Sequence, residues 1–279
     1  MPLARTDDGF RLHYEESGHG TPLVFAHEFG GDHRSWEPQV RHFARRYRCA
    51  VYAARGFPPS DVPRSAEHYG QHRAADDLVA VLDAAGIDRA HLVGNSMGSF
   101  CALHCGLRHP ERVRSLTLGG IGYGSHPDDA EPFRAEAEQI ATGYDTDGSE
   151  AVARWFGFGP ARVQFQAKDP RGHDEHVRVL AEHDPTGAAM TMRAVQQQRP
   201  SLHSLREQLA ALDLPVLVVA GDEDDRALEP ALMLKRTLPR AGLAVLPHSG
   251  HVTNLEEPDL YNAHLGQFLA QVEHDRWPA

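Results

Sequence analysis

Short apolar runs alternate with stretches of helical spacing along most of this chain, and that alternation narrows the possible folds more than any other feature. "PLVFAH", "CAVYAARG", "AHLVG", "SLTLGG", "PVLVVAGD" and "GLAVLP" read as strands, several of them apolar enough to be buried on both faces. "SWEPQVRHFARRY", "HRAADDLVAVLDAAGI", "SFCALHCGLRHPERV", "PALMLKRTLPR" and "DLYNAHLGQFLAQVEHD" carry apolar residues at helical intervals. Near the start, "FRLHYEES" alternates apolar and polar residues, as a half-buried antiparallel strand does. Repeated strand–helix units predict a mostly parallel sheet with helices on both faces. At 279 residues the chain is long enough for one such α/β domain with an insertion.

The alternation stops between Ser125 and Pro200, where helical patterns are separated by Gly and Pro. The economical reading is a helical cap, residues 126–200, inserted into a core made of 1–125 and 201–279. Phe133, Trp155, Phe156, Phe158 and Phe165 in this segment either line a pocket or pack among the cap helices, and packing is the expectation for most.

A formal charge of -11 gives no electrostatic support to a nucleic-acid or anionic-membrane partner. No run approaches the roughly 20 apolar residues of a membrane span, and "MPLARTDDGF" is not a signal peptide. Three cysteines, Cys49, Cys101 and Cys105, are too few for a disulfide framework and fit a reducing cytoplasm. The 19 histidines show no metal-ligand spacing, so neither metal nor cofactor is expected. "HEFGGDH" tests this directly. A zinc-binding H-E-x-x-H helix needs a second His four residues on, but that place after His27 holds Gly31, and the next imidazole is His33. The oligomeric state stays open, a homodimer included.

"GNSMG", Gly94 to Gly98, lies between the strand "AHLV" and a helix, where a G-x-S-x-G turn presents its serine at the end of a sheet. Ser96 would stand at the helix N-terminus, which favours developing negative charge. A serine hydroxyl needs a base, and the base needs an orienting acid. Asp224 follows one strand and His251 follows the last, each just past a carboxyl end where sites collect in open α/β sheets. Asp225 and His248 are the rivals for these two roles.

With "HEFGG", "ARGFPPSD", "GNSMG", "GDED", "SGH" and "LEEP" in this order, the chain resembles the α/β-hydrolase superfamily over essentially its whole length. The resemblance implies an eight-stranded, mostly parallel sheet with an inserted helical cap. It implies a Ser96–His251–Asp224 triad and favours Asp224 over Asp225. It also implies an oxyanion hole built from the backbone N–H groups of Phe29 and Met97, with His27 tying the loop down. The departure is Glu28, which stands where similar proteins carry Gly. Glu28 either pairs with a cation such as Arg34 or Arg55, or is a proton-handling neighbour of the site with a raised pKa. The implied activity is hydrolysis of a small, largely apolar ester or lactone through an acyl-enzyme. Hydrolysis of a carbon–carbon bond in a β-diketone-like compound, or ligand sensing without catalysis, are the alternatives. Epoxide hydrolases and dehalogenases of this fold use an Asp nucleophile, which Ser96 argues against.

Overall fold

The computed structural model describes residues 2–278. Its strands are β1 Leu3–Arg5, β2 Arg11–Ser17, β3 Thr21–Ala26, β4 Tyr47–Tyr52, β5 Ala90–Asn95, β6 Val113–Gly119, β7 Val216–Gly221 and β8 Ala241–Leu246. The helices are α1 Glu37–Phe43, α2 Gln71–Ala84, α3 Met97–Arg108, α4 Pro127–Asp147, α5 Ser149–Phe156, α6 Val163–Lys168 and α7 Pro170–Ala181, followed by α8 Pro185–Met190, α9 Arg206–Ala211, α10 Asp225–Thr237, α11 Thr253–Glu256 and α12 Pro258–Glu273. All eight strands form one sheet in the order β1-β2-β4-β3-β5-β6-β7-β8. β1 and β2 pair antiparallel, and every pairing from β4 to β8 is parallel. This is an α/β-hydrolase fold.

Successive side chains of a strand point to opposite faces, so each central strand feeds two cores. Val24, Leu92, Leu116 and Val218 pack with Leu78 and Leu82 of α2, Phe100 of α3 and Leu234 of α10. Leu23, Phe25, Val93 and Leu217 pack on the other face with Trp36, Phe43 of α1, and Leu265 and Phe268 of α12. Both faces of the sheet are thereby sealed, and this is why the central runs read as continuously apolar. Cys101 and Cys105 lie in the first of these cores and Cys49 in the second, all as free thiols.

β2 departs from the clean alternation expected of it, because Leu12, His13 and Tyr14 are buried in succession. Leu12 and Tyr14 enter the first core, and His13 turns to the other face, against the His33 ring at 5.0 Å.

Between β6 and β7 the chain runs through helices alone, α4 to α9 with a π-helical segment, Thr191–Gln196. Ala137, Ile140 and Tyr144 of α4, Val152 of α5 and Ala188 of α8 pack on Phe29, Phe57 and Met97. The helical segment thus covers the carboxyl ends of β3 and β5. Among the described residues, no helix is long and apolar enough to cross a membrane.

Candidate active site

The β5–α3 turn is sharp enough to impose its own sequence. Ser96 sits at φ 50, ψ -113, backbone that few non-glycine residues adopt. A Cβ on Gly98 would lie 1.9 Å from the Ala26 carbonyl oxygen, and one on Gly94 would lie 2.3 Å from the Gly98 carbonyl carbon. Only glycine fits at either position. Ser96 N–H donates to the Gly119 carbonyl (2.8 Å), while the Ser96 carbonyl accepts from Ser99 N–H (3.0 Å). The half-buried Ser96 side chain is therefore held at the positive end of α3.

Two and three strands further along the sheet, the β7–α10 and β8–α11 loops bring Asp224 and His251 together. His251 Nδ1–H donates to Asp224 Oδ2 at 2.7 Å, and both residues are buried. The Asp225 side chain is exposed at the start of α10, and the His248 side chain is 83% exposed, so neither rival joins the pair. The His251 loop is braced on several sides. Glu256 accepts from Gly250 N–H (2.6 Å) and Val252 N–H (3.0 Å), Asn95 Nδ2 donates to the His251 carbonyl (3.2 Å), and His251 N–H donates to the Ala161 carbonyl (3.2 Å). The Asn95 bond ties the histidine to the residue before Ser96. A Cβ on Gly120 would come within 3.3 Å of the imidazole, so this glycine makes room for the ring.

Tyr123 was not legible as a site residue. Its hydroxyl donates to Asp224 Oδ1 at 2.7 Å, and its ring lies 4.5 Å from that of His251. The signal available was its position in "GGIGYG", the loop just after β6. Asp224 thus has a donor on each oxygen.

The β3–α1 loop arranges its three candidates differently from one another. His27 is buried with both ring nitrogens engaged: Nδ1–H donates to the Glu28 carbonyl (2.7 Å), and Nε2 accepts from Ala54 N–H (3.0 Å). Burial lowers its pKa, and the ring is a fixed strut in the loop. Phe29 N–H has no acceptor among the described residues. Met97, the first residue of α3, offers an N–H that the helix itself leaves unpaired. The Phe29 and Met97 side chains share one apolar cluster.

Glu28 does pair with a cation, but neither cation named from the sequence is correct. Arg34 is engaged by Asp32 and Glu182, and Arg55 by Asp77 and Asp8. The partner is Arg162, 134 residues away, whose Nη2 donates to Glu28 Oε2 at 2.9 Å. Arg162 Nε also donates to His176 Nε2 (3.2 Å), and its guanidinium lies 4.7 Å from the Phe156 ring centroid. No local signal in the sequence couples these residues. Burial alone would raise the Glu28 pKa, but Arg162, His176 and His251 together more than offset it and hold it at about 2. That is the reverse of the raised pKa a proton-handling group would need.

Glu28→Gln keeps the shape and leaves a guanidinium that is 4% exposed without its anion. The expected result is a loss of about 3–5 kcal/mol in stability, read by urea or thermal unfolding. Turnover of the folded protein should fall by less than about tenfold. The folded carboxylate ionises at about 2, against 4.5 ordinarily, so its contribution is complete above 4.5 and is lost as pH falls through about 2. The variant should lack this part of the acid-unfolding transition.

Beside Met97 and Gly98 lies a cavity of about 40 Å³, walled by Tyr52, Ala54, Phe57, Tyr69 and Val195 and by the polar Gln71 and Thr191. Among the cap aromatics, Phe133 and Phe165 are buried, Trp155 and Phe158 are exposed, and Phe156 meets Phe29 edge-to-face at 5.9 Å.

The family model described as "alpha/beta hydrolase fold" matches residues 21–258. The chain is 27% identical over 252 residues to 3-oxoadipate enol-lactonase 1 of Acinetobacter baylyi, covering 90% of this chain and 89% of that protein. It is 31% identical over 278 residues to 2-hydroxymuconate semialdehyde hydrolase of a Pseudomonas species, covering 95% and 92%. Among solved structures, an enol-lactonase from Burkholderia xenovorans superposes with a TM-score of 0.84 at 22% identity, covering 96% of this chain and all (100%) of that one, a likeness of fold.

Proposed function

The chain belongs to the α/β-hydrolase fold family, and on that premise we propose that it is a serine hydrolase of small, largely apolar esters or lactones. The observation that carries this reading is a buried His251–Asp224 pair at 2.7 Å on the loops after β8 and β7, in a chain whose Ser96 is held in strained backbone at the N-terminus of α3. In this scheme Ser96 Oγ attacks the acyl carbon while His251 Nε2 takes its proton. Asp224 holds the imidazole in the tautomer that leaves Nε2 free to do so. The Phe29 and Met97 amides receive the oxyanion, contributing several kcal/mol of barrier lowering. His251 then protonates the leaving oxygen, and a water, deprotonated by the same histidine, releases the acid from Ser96.

The lactonase relative supports a ring ester as substrate. The 31% identical semialdehyde hydrolase supports a second reading, carbon–carbon cleavage of a β-diketone-like compound by the same three residues. Fold does not choose between them. A panel of short-chain p-nitrophenyl esters, a five-membered lactone and a β-diketone separates the two. Turnover of esters or lactone at least about 10²-fold above the β-diketone supports our reading, and the reverse order selects the second. Saturable binding with no turnover of any compound would instead identify a receptor on a hydrolase fold.

A further inference from the structure

His33 is the imidazole that the H-E-x-x-H spacing could not use, and the reaction outlined above gives it no task. The fold places it beside two residues far from it in sequence. His13 and Glu15, two apart on β2, point to the same side of the strand. His13 Nε2 lies 3.0 Å from Glu15 Oε1, and His33 Nε2 lies 3.7 Å from the same oxygen. One donor atom from each residue falls within 4.8 Å of the other two.

From these positions we infer that His13, Glu15 and His33 form a binding site for a divalent late first-row cation, with zinc the first to test. Two neutral imidazoles and one carboxylate are a donor set suited to such ions. Donors around a tetrahedral zinc, at bond lengths near 2.0–2.2 Å, stand about 3.3 Å apart, and the two measured separations bracket that value. A hydrogen-bonded cluster explains less. It accounts for His13 Nε2 and Glu15, but His33 Nε2, at 3.7 Å from Glu15 Oε1, is beyond hydrogen-bond reach of it, and His33 Nδ1, like His13 Nδ1, is buried without a hydrogen-bond partner among the described residues. The supports are rigid. Ser60 Oγ accepts from His13 N–H (2.9 Å), and Asp32 caps the turn that carries His33 by accepting from Arg34 N–H (2.8 Å). Asp32 Oδ1 also stands 3.7 Å from His33 Nδ1, the place of the carboxylate that orients many metal-bound imidazoles.

Both histidines are buried, while Glu15 is 54% exposed in its side chain. Glu15 and His33 line a groove of about 840 Å³ between α1 and α7, which gives an ion access and leaves a coordination position for water. Occupancy would staple β2 to the loop that begins with the Phe29 amide, four residues before His33. The site's role would then be to stiffen that loop, independently of the chemistry on Ser96.

The test is calorimetric titration of the full chain with zinc chloride, with thermal unfolding in parallel. The expected result is saturable binding of one zinc per chain and a raised unfolding temperature. Glu15→Gln and His33→Gln should each weaken binding by about tenfold or more and abolish the thermal shift. Glu15→Gln alters an exposed side chain, so it remains a fair test if the histidine variant fails to fold. Absence of saturable binding to the wild type, or binding unchanged in both variants, overturns the assignment. The second outcome would move the ion to other histidines.

Discussion

Ser96→Ala should reduce turnover by roughly 10⁵-fold or more while leaving the protein folded. The large loss follows from the absence of any substitute. Ser99, three residues on, is fully buried, and its hydroxyl donates to the Gly119 carbonyl at 2.7 Å. The fold should survive because Ser96 Oγ makes no hydrogen bond among the described residues, and because alanine bears the same left-handed backbone that serine already bears. A fluorophosphonate should label the wild type once, at Ser96, and the variant not at all. Labelling at Ser99, or turnover that survives the substitution, would remove the basis for a serine mechanism. Circular dichroism and the unfolding midpoint separate a catalytic loss from a folding one.

The pieces legible in the sequence are those whose cause is local. The β5 run, the glycines at 94 and 98, and the helix beginning at Met97 announce the turn together, because only glycine allows α3 to lie against the end of β3. Asp224 and His251 were legible by position, each just past the end of an apolar strand, although nothing local says that they meet. What stayed hidden depends on closure of the chain over long distances. Arg162 reaches Glu28 across 134 positions, and His33 meets His13 only because β2 and the turn before α1 lie side by side. β1 was missed for a different reason: in three residues only Ala4 is buried, so there is no period to read. Tyr123 lies between these cases, its place after β6 being visible and its bond to Asp224 not.

Asp224→Asn should lower turnover by roughly 10⁴-fold, with Asp225→Asn changing it little. The carboxylate accepts from both the Tyr123 hydroxyl and the His251 ring, at 2.7 Å each. An asparagine in the same pocket must satisfy those two donors with one oxygen and one NH₂. If the oxygen stays with Tyr123, the NH₂ faces Nδ1. The imidazole then places its proton on Nε2, where it can no longer accept from Ser96. If the amide turns over, the NH₂ meets the Tyr123 hydroxyl instead, and the imidazolium formed during attack still loses its counter-charge. Both orientations therefore cost turnover, and the shape of the pocket is barely altered. Asp225 is exposed one residue on, and its removal takes only a charge from the first turn of α10, worth about 0.3–1 kcal/mol of stability. Tyr123→Phe is the intermediate case: it leaves His251 its acceptor and removes one donor from Asp224, so a loss of roughly 10- to 10²-fold is expected from a single hydrogen bond to a charged group. Steady-state kinetics on the three variants, with unfolding midpoints as a control, orders them. Equal losses for the Asp224 and Asp225 substitutions would mean that the 2.7 Å contact orients the ring without being the charge that turnover depends on.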